Sequence, residues 1–135
     1  MHRSTCLALI SSAVSSSDFA KAPYSEFQVG ASLLTQKGDI FTGCNIESSS
    51  YGLTICAERV ALFKALSEGY TSFSALAIYA KNKPFCPPCG ACLQVLHDYA
   101  KNITIILTDG RKYKEIKISE LLPFAFDEKY LDHHE

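Results

Sequence analysis

The chain has 135 residues, 47% of them hydrophobic and 20% charged, with 13 basic against 14 acidic side chains and a net charge of −1. That length holds one compact domain, residues 1–135, and excludes two; the composition excludes acidic, aromatic-poor disorder. Near-neutral charge excludes affinity built on a string of phosphate contacts, and no stretch approaches the ~18 apolar residues of a bilayer span, so neither nucleic acid nor membrane is an expected partner.

Cys6, Leu9, Ile10, Ala13 and Val14 recur at helical spacing. They read as an amphipathic helix of the fold rather than a leader, because Ser11 and Ser12 interrupt the apolar stretch. Residues 28–35 and 39–44 read as two strands joined by Gln36-Lys37-Gly38, a hairpin. A loop covers 48–54. Residues 56–68 are strong helix formers with Val60, Phe63 and Leu66 along one side and Gly69 as a stop signal. Residues 73–80 and 103–108 are almost continuously apolar, as strands buried on both faces are. Between them a helix over 89–100 is entered through Pro87 and Pro88. Asp109-Gly110 is a turn, 112–118 an edge strand whose basic residues face solvent, and Ser119 caps a helical turn at 120–122. Strand-helix-strand over 73–108 implies a parallel crossover, and the hairpin an antiparallel pair. The class is α/β: a mixed sheet of about five strands in a three-layer α/β/α arrangement.

Six cysteines stand at positions 6, 44, 56, 86, 89 and 92. With no export signal recognised they are expected reduced, in the cytoplasm, where clustered thiols serve metals or catalysis. Cys6 and Cys44 read as small buried hydrophobes. Cys89 and Cys92, three apart at a helix start, can turn both sulfurs to one ion; alone, that pair fits a structural zinc knuckle or a redox couple as well. Cys56, at the start of another helix, adds a third sulfur, and three protein ligands leave Zn²⁺ a fourth position for water, the catalytic pattern. Helix N-termini favour the thiolates the metal needs. Three thiolates overcompensate the ion's charge, an excess that Arg59 can withdraw by hydrogen-bonding the sulfurs.

Glu58 lies two residues from Cys56, a spacing that separates helix faces. It is therefore read as a proton carrier beside the metal rather than a ligand. By themselves Glu58 would be a helix-cap carboxylate, Arg59 a surface charge and Phe27 a core residue. Cys86 opens an alternative set with Cys89 and Cys92, made awkward by the two prolines that hold it in extended chain. His97, His133 and His134 are not read as ligands, and Arg111, Lys112, Lys114 and Lys117 read as a solvated strand face.

A Cys-x-Glu followed by Pro-Cys-x-x-Cys is the zinc deaminase signature. Together with Tyr24-Ser25-Glu26-Phe27-Gln28-Val29-Gly30-Ala31, Asn45-Ile46-Glu47 and Thr54-Ile55 before Cys56, it makes the chain from about residue 20 to Phe126 resemble the small, homotetrameric cytidine deaminase family. The resemblance implies a cytidine deaminase-like fold and hydrolysis of cytidine and 2′-deoxycytidine to uridine and 2′-deoxyuridine with release of ammonia, a pyrimidine salvage step. It also implies one zinc per subunit on Cys56, Cys89 and Cys92, with Glu58 as the catalytic acid/base. Asn45 and Glu47 would bind the ribose hydroxyls, Phe27 the pyrimidine, and Ala57 the base beside it. Phe126, with Phe124 as the competing assignment, would reach a neighbouring subunit's site in a homotetramer with shared active sites. Leu93 departs from the family's arginine. Two alternatives remain: a deaminase of another aminopyrimidine nucleoside such as an antibiotic, or a non-catalytic zinc-stabilised binding module.

Overall fold

The computed structural model describes residues 1–131; His133 and His134 lie outside them. Five strands form one sheet: β1 (Val29–Thr35), β2 (Ile40–Cys44), β3 (Phe73–Ala80), β4 (Thr104–Thr108) and β5 (Tyr113–Lys117), in the order β2-β1-β3-β4-β5. β1 and β2 make the expected antiparallel hairpin, with Gly38 at φ +96° in its turn. β3 and β4 make the expected parallel pair, and β5 closes that edge antiparallel to β4. The join between the two halves is an antiparallel pairing of β1 with β3, Ala31 facing Ile78 and Leu33 facing Leu76.

Helices cover both faces, giving three layers. α1 (Arg3–Ser17) buries Cys6, Leu9, Ile10 and Ala13 against Ala75, Ala77 and Ile106. Val14 sits at the edge of that cluster, and Cys44 is half-buried. On the opposite face α2 (Ala57–Ser67), α3 (Gly90–Tyr99) and the one-turn α4 (Ile118–Leu121) close over Leu33, Leu76, Ile78, Ile105 and Leu107. The central strands carry side chains into two cores, which is why their sequence is nearly continuous in apolar residues rather than alternating. Arg111, Lys112, Lys114 and Lys117 are exposed, as expected.

Three expectations change. The loop over 48–54 contains a 3₁₀ turn at Tyr51–Leu53. Ser119 is not the cap of the last helix: α4 starts at Ile118, and Glu120 reaches back to accept the Lys117 backbone N–H at 3.0 Å. α2 does not bury a Val60-Phe63-Leu66 side; it buries Ala57, Glu58, Ala61, Leu62 and Ala65, and Phe63 is exposed.

The alanines explain the third change. α2 rides so close to β2 that a Cβ on Gly43 would collide with the carbonyl of Ala57 and sit 2.6 Å from the Ala61 nitrogen, while Ser16 of α1 donates to the Gly43 carbonyl at 2.6 Å. Only small residues permit this approach. Gly43→Ala is therefore expected to cost about 3 kcal/mol, overpacking against backbone that cannot yield, measured by urea denaturation.

Candidate metal and active site

The second and third helices begin at the same place in space. Cys56 is the N-cap of α2 and Cys89 that of α3, each in extended conformation with ψ of 156° and 166°. The sequence-based helices each began one residue too early, and the difference matters. A residue just before a helix aims its side chain along the unpaired amides of the first turn, where partial positive charge favours an anion. Cys92 stands three residues after Cys89, the spacing at which an N-cap side chain meets the first turn. The crossover from β3 through α3 to β4 sets this second helix start beside the first.

The sulfurs of Cys56, Cys89 and Cys92 all lie within 4.8 Å of one another, the one such group of three potential ligands among the described residues. Cys56 Sγ and Cys89 Sγ are 3.7 Å apart. A tetrahedron with arms of about 2.3 Å, the Zn–S bond length, has edges of about 3.8 Å, so the Cys56–Cys89 separation matches one edge and three thiols suit zinc in chemistry. Three sulfurs leave the fourth corner open. Cys86 lies outside the group, and the alternative set built on it falls away.

Electrostatics favour the metal at these thiols. Hydrogen bonds from Cys92 and then from Arg59 hold the Cys56 thiol down at about 5 against the opposing effect of burial. Cys92 is pushed up, first because it keeps its proton to donate a hydrogen bond to the Cys56 sulfur and second because it is buried. The pair competes for one proton, which a cation displaces on binding. Arg59 Nη2 donates to Cys56 Sγ at 3.6 Å, the contact expected of a charge-withdrawing partner. Arg59→Ala is expected to weaken zinc affinity about 10- to 100-fold, read by competition with a chromophoric chelator.

Glu58, the second residue of α2, is 4% exposed. Burial lifts its carboxyl to about 7, and the neighbouring Cys56 charge adds to the rise. The helix-face argument that separated it from Cys56 fails in detail. Cys56 precedes the helix, so its side chain and that of Glu58 line one cavity of about 560 Å³.

Phe27, Asn45, Glu47 and Ala57 line the same cavity, so four further residues picked from the sequence come together with Cys56 and Cys89. Asn45 is 7% exposed; its Oδ1 accepts from Val29 N–H at 2.9 Å and its Nδ2 donates to the Phe27 carbonyl at 2.7 Å. Glu47 accepts the backbone N–H groups of Tyr24 and Ser25 at 2.9 and 3.2 Å. Ser25, Thr54, Ile78 and Cys86 also line the cavity and were not picked. The sequence offers Cys86 only as an alternative ligand beside Cys89 and Cys92, and pocket-facing Ile78 is indistinguishable in sequence from its core neighbours on β3.

Phe126 and Phe124 are not in this chain's cavity. Phe126 is 54% exposed, stacked on Tyr130 and tied to α3 where Gln94 Nε2 donates to its carbonyl at 2.8 Å; Phe124 is fully exposed. Leu93 is buried in the α2-side core, an apolar contact where the family's arginine would need a polar one. His97 stands off the site, 3.5 Å from Asp127.

Residues 4–108 match the family model described as the cytidine and deoxycytidylate deaminase zinc-binding region. The chain is 48% identical over 120 residues to a cytidine deaminase from Halalkalibacterium halodurans, covering 87% of this chain and 91% of that one. It is 42% identical over 127 residues to one from Sporosarcina psychrophila, covering 93% of each. The crystal structure of cytidine deaminase from Burkholderia pseudomallei superposes with a TM-score of 0.86 at 42% identity, covering 93% of this chain and all of that one. Three clustered sulfurs at two helix starts, a buried carboxylate beside them and relatives matched along most of their length lead to one conclusion: the chain belongs to the cytidine and deoxycytidylate deaminase zinc-binding family.

Proposed function

We propose that this protein is a zinc-dependent aminohydrolase that converts cytidine and 2′-deoxycytidine, with water, to uridine and 2′-deoxyuridine and ammonia. The observation that carries it is a buried acid, Glu58, sharing one cavity with Cys56 and Cys89, whose sulfurs cluster with that of buried Cys92. Cys56, Cys89 and Cys92 would hold the zinc ion, which when bound would supply the Lewis acidity that makes a water nucleophilic near neutral pH. Glu58 is placed to take a proton from the attacking water and deliver it to N3 of the ring, then to take the proton of the new C4 hydroxyl and pass it to the amine, which leaves C4 as ammonia. A carboxyl poised near 7 suits both halves of this exchange.

The remaining wall holds the nucleoside. Phe27 offers an aromatic face to the flat base, and Ala57 a small side chain beside it. After its two backbone bonds, Asn45 retains one N–H and one acceptor position for a sugar hydroxyl. Glu47 accepts from the other hydroxyl. Substrate enters as a free nucleoside, consistent with the absence of a basic wall in the cavity lining.

Residues 1–135 act as one domain, supported by a single sheet on which both helical layers rest. The assembly is a homotetramer whose subunits complete each other's sites, a reading supported by exposed Phe124, Phe126, Tyr130 and Leu131 on one C-terminal segment. The setting is cytoplasmic pyrimidine salvage, consistent with reduced thiols. Loss of cytidine absorbance with stoichiometric ammonia tests the activity; an inert zinc-loaded protein would overturn it. Light scattering at four times the 14.8 kDa chain mass tests the assembly.

A further inference from the structure

Ser25 contributes no group to the reacting atoms, yet its hydroxyl joins two of the residues assigned to the substrate. Ser25 Oγ donates to Glu47 Oε2 and accepts from the Phe27 backbone N–H at 3.1 Å. The other oxygen, Glu47 Oε1, takes the N–H groups of Tyr24 and Ser25. Glu26, at φ +59°, turns the chain left-handed so that the Phe27 amide reaches back two residues to the serine oxygen.

Counting acceptor positions shows what this does. A carboxylate has about four lone-pair sites, and this segment occupies three of them on Glu47. One is left, on Oε2, beside the Ser25 hydroxyl. No lysine or arginine pairs with Glu47 among the described residues, so its orientation rests on these three donors. The same hydroxyl holds its carboxyl below the usual carboxylate range, keeping it an acceptor.

We infer that Ser25 is a positioning residue for sugar recognition: bridging Glu47 and the Phe27 backbone, it aims the last free acceptor of Glu47 at one sugar hydroxyl and fixes the distance between sugar clamp and base wall. The inference rests on Glu47 as a sugar-binding group. It predicts that the serine hydroxyl matters in proportion to the hydroxyls on the sugar.

The test compares cytidine with 2′,3′-dideoxycytidine, which keeps its 5′-hydroxyl but lacks both ring hydroxyls, the donors Glu47 would accept, as kcat/KM or, where turnover is slow, as an inhibition constant. Ser25→Ala is expected to lower kcat/KM for cytidine about ten-fold, chiefly through KM, and to change the dideoxynucleoside by no more than about two-fold. Ser25→Thr, which keeps the hydroxyl, restores most of the loss. In a Glu47→Ala background, Ser25→Ala adds nothing further on cytidine. Equal losses on both nucleosides, or losses that multiply in the double variant, would make Ser25 merely structural and overturn the inference. Should Glu47→Ala itself treat the two nucleosides alike, the sugar-binding reading falls and this one with it. Discrimination by Glu47→Ala without discrimination by Ser25→Ala overturns the positioning role alone.

Discussion

Glu58→Gln is expected to lower ammonia release from cytidine about 10²- to 10⁴-fold while zinc stays at one per chain and nucleoside binding survives. Glutamine keeps the shape of the side chain and loses the ability to take a proton. A variant with full activity would remove Glu58 from the chemistry, and one without metal would show that it supports the ion instead. Stability is expected to move the other way. Burial raises the Glu58 carboxyl from 4.5 to about 7, so its contribution to folding is present below about pH 4.5 and is lost as pH rises through about 7. Glutamine carries no such burden. Denaturation at about pH 5 and about pH 8 should find the variant's advantage over wild type larger at the higher pH.

Removing the metal is the second large effect. Chelation is expected to abolish deamination, and zinc to restore it. Cys56→Ala, Cys89→Ala or Cys92→Ala should each eliminate stoichiometric zinc, whereas Cys86→Ala should retain it, since Cys86 lies outside the cluster. Elemental analysis beside the activity assay separates these outcomes. The folded chain should also lose stability: a ligand present at about 1,000 times its dissociation constant adds about 4 kcal/mol. Thermal melts with and without chelator read this directly. A Cys89→Ala protein that holds zinc as tightly as wild type would break the three-sulfur reading.

Local chemistry made most of this legible in sequence. Apolar patterning located α1 and all five strands; the prolines before Cys89 and the glycine after Glu68 bracketed the helices; and the cysteine spacing picked out the three thiols that the fold brings within 4.8 Å of one another. What stayed hidden depends on contacts between distant segments. The pairing of β1 with β3 brings Leu33 to Leu76, and no local period encodes it. The buried face of α2 was misread because its closeness to β2 is set by Gly43 and two alanines, which carry almost no hydrophobic signal. Asn45 was read as a sugar ligand, but half its hydrogen-bonding capacity is committed to the Phe27 carbonyl and the Val29 amide, a fact available only from the folded backbone. Helix ends were off by one residue at Cys56 and Cys89, because a cap and a first helical residue look alike in a spacing argument.

The contact between Gly43 and the start of α2 bears on where the acid stands. Glu58 is the next residue after Ala57, whose carbonyl rests on that glycine. Main chain bears on main chain here, with no rotatable side chain between to absorb a displacement. The sheet therefore acts as a datum surface for the carboxyl, and reshuffling the aliphatic interior elsewhere leaves its height above the strands nearly unchanged. A single methyl at position 43 would instead lift the whole helix, and the Glu58 carboxyl would travel with it.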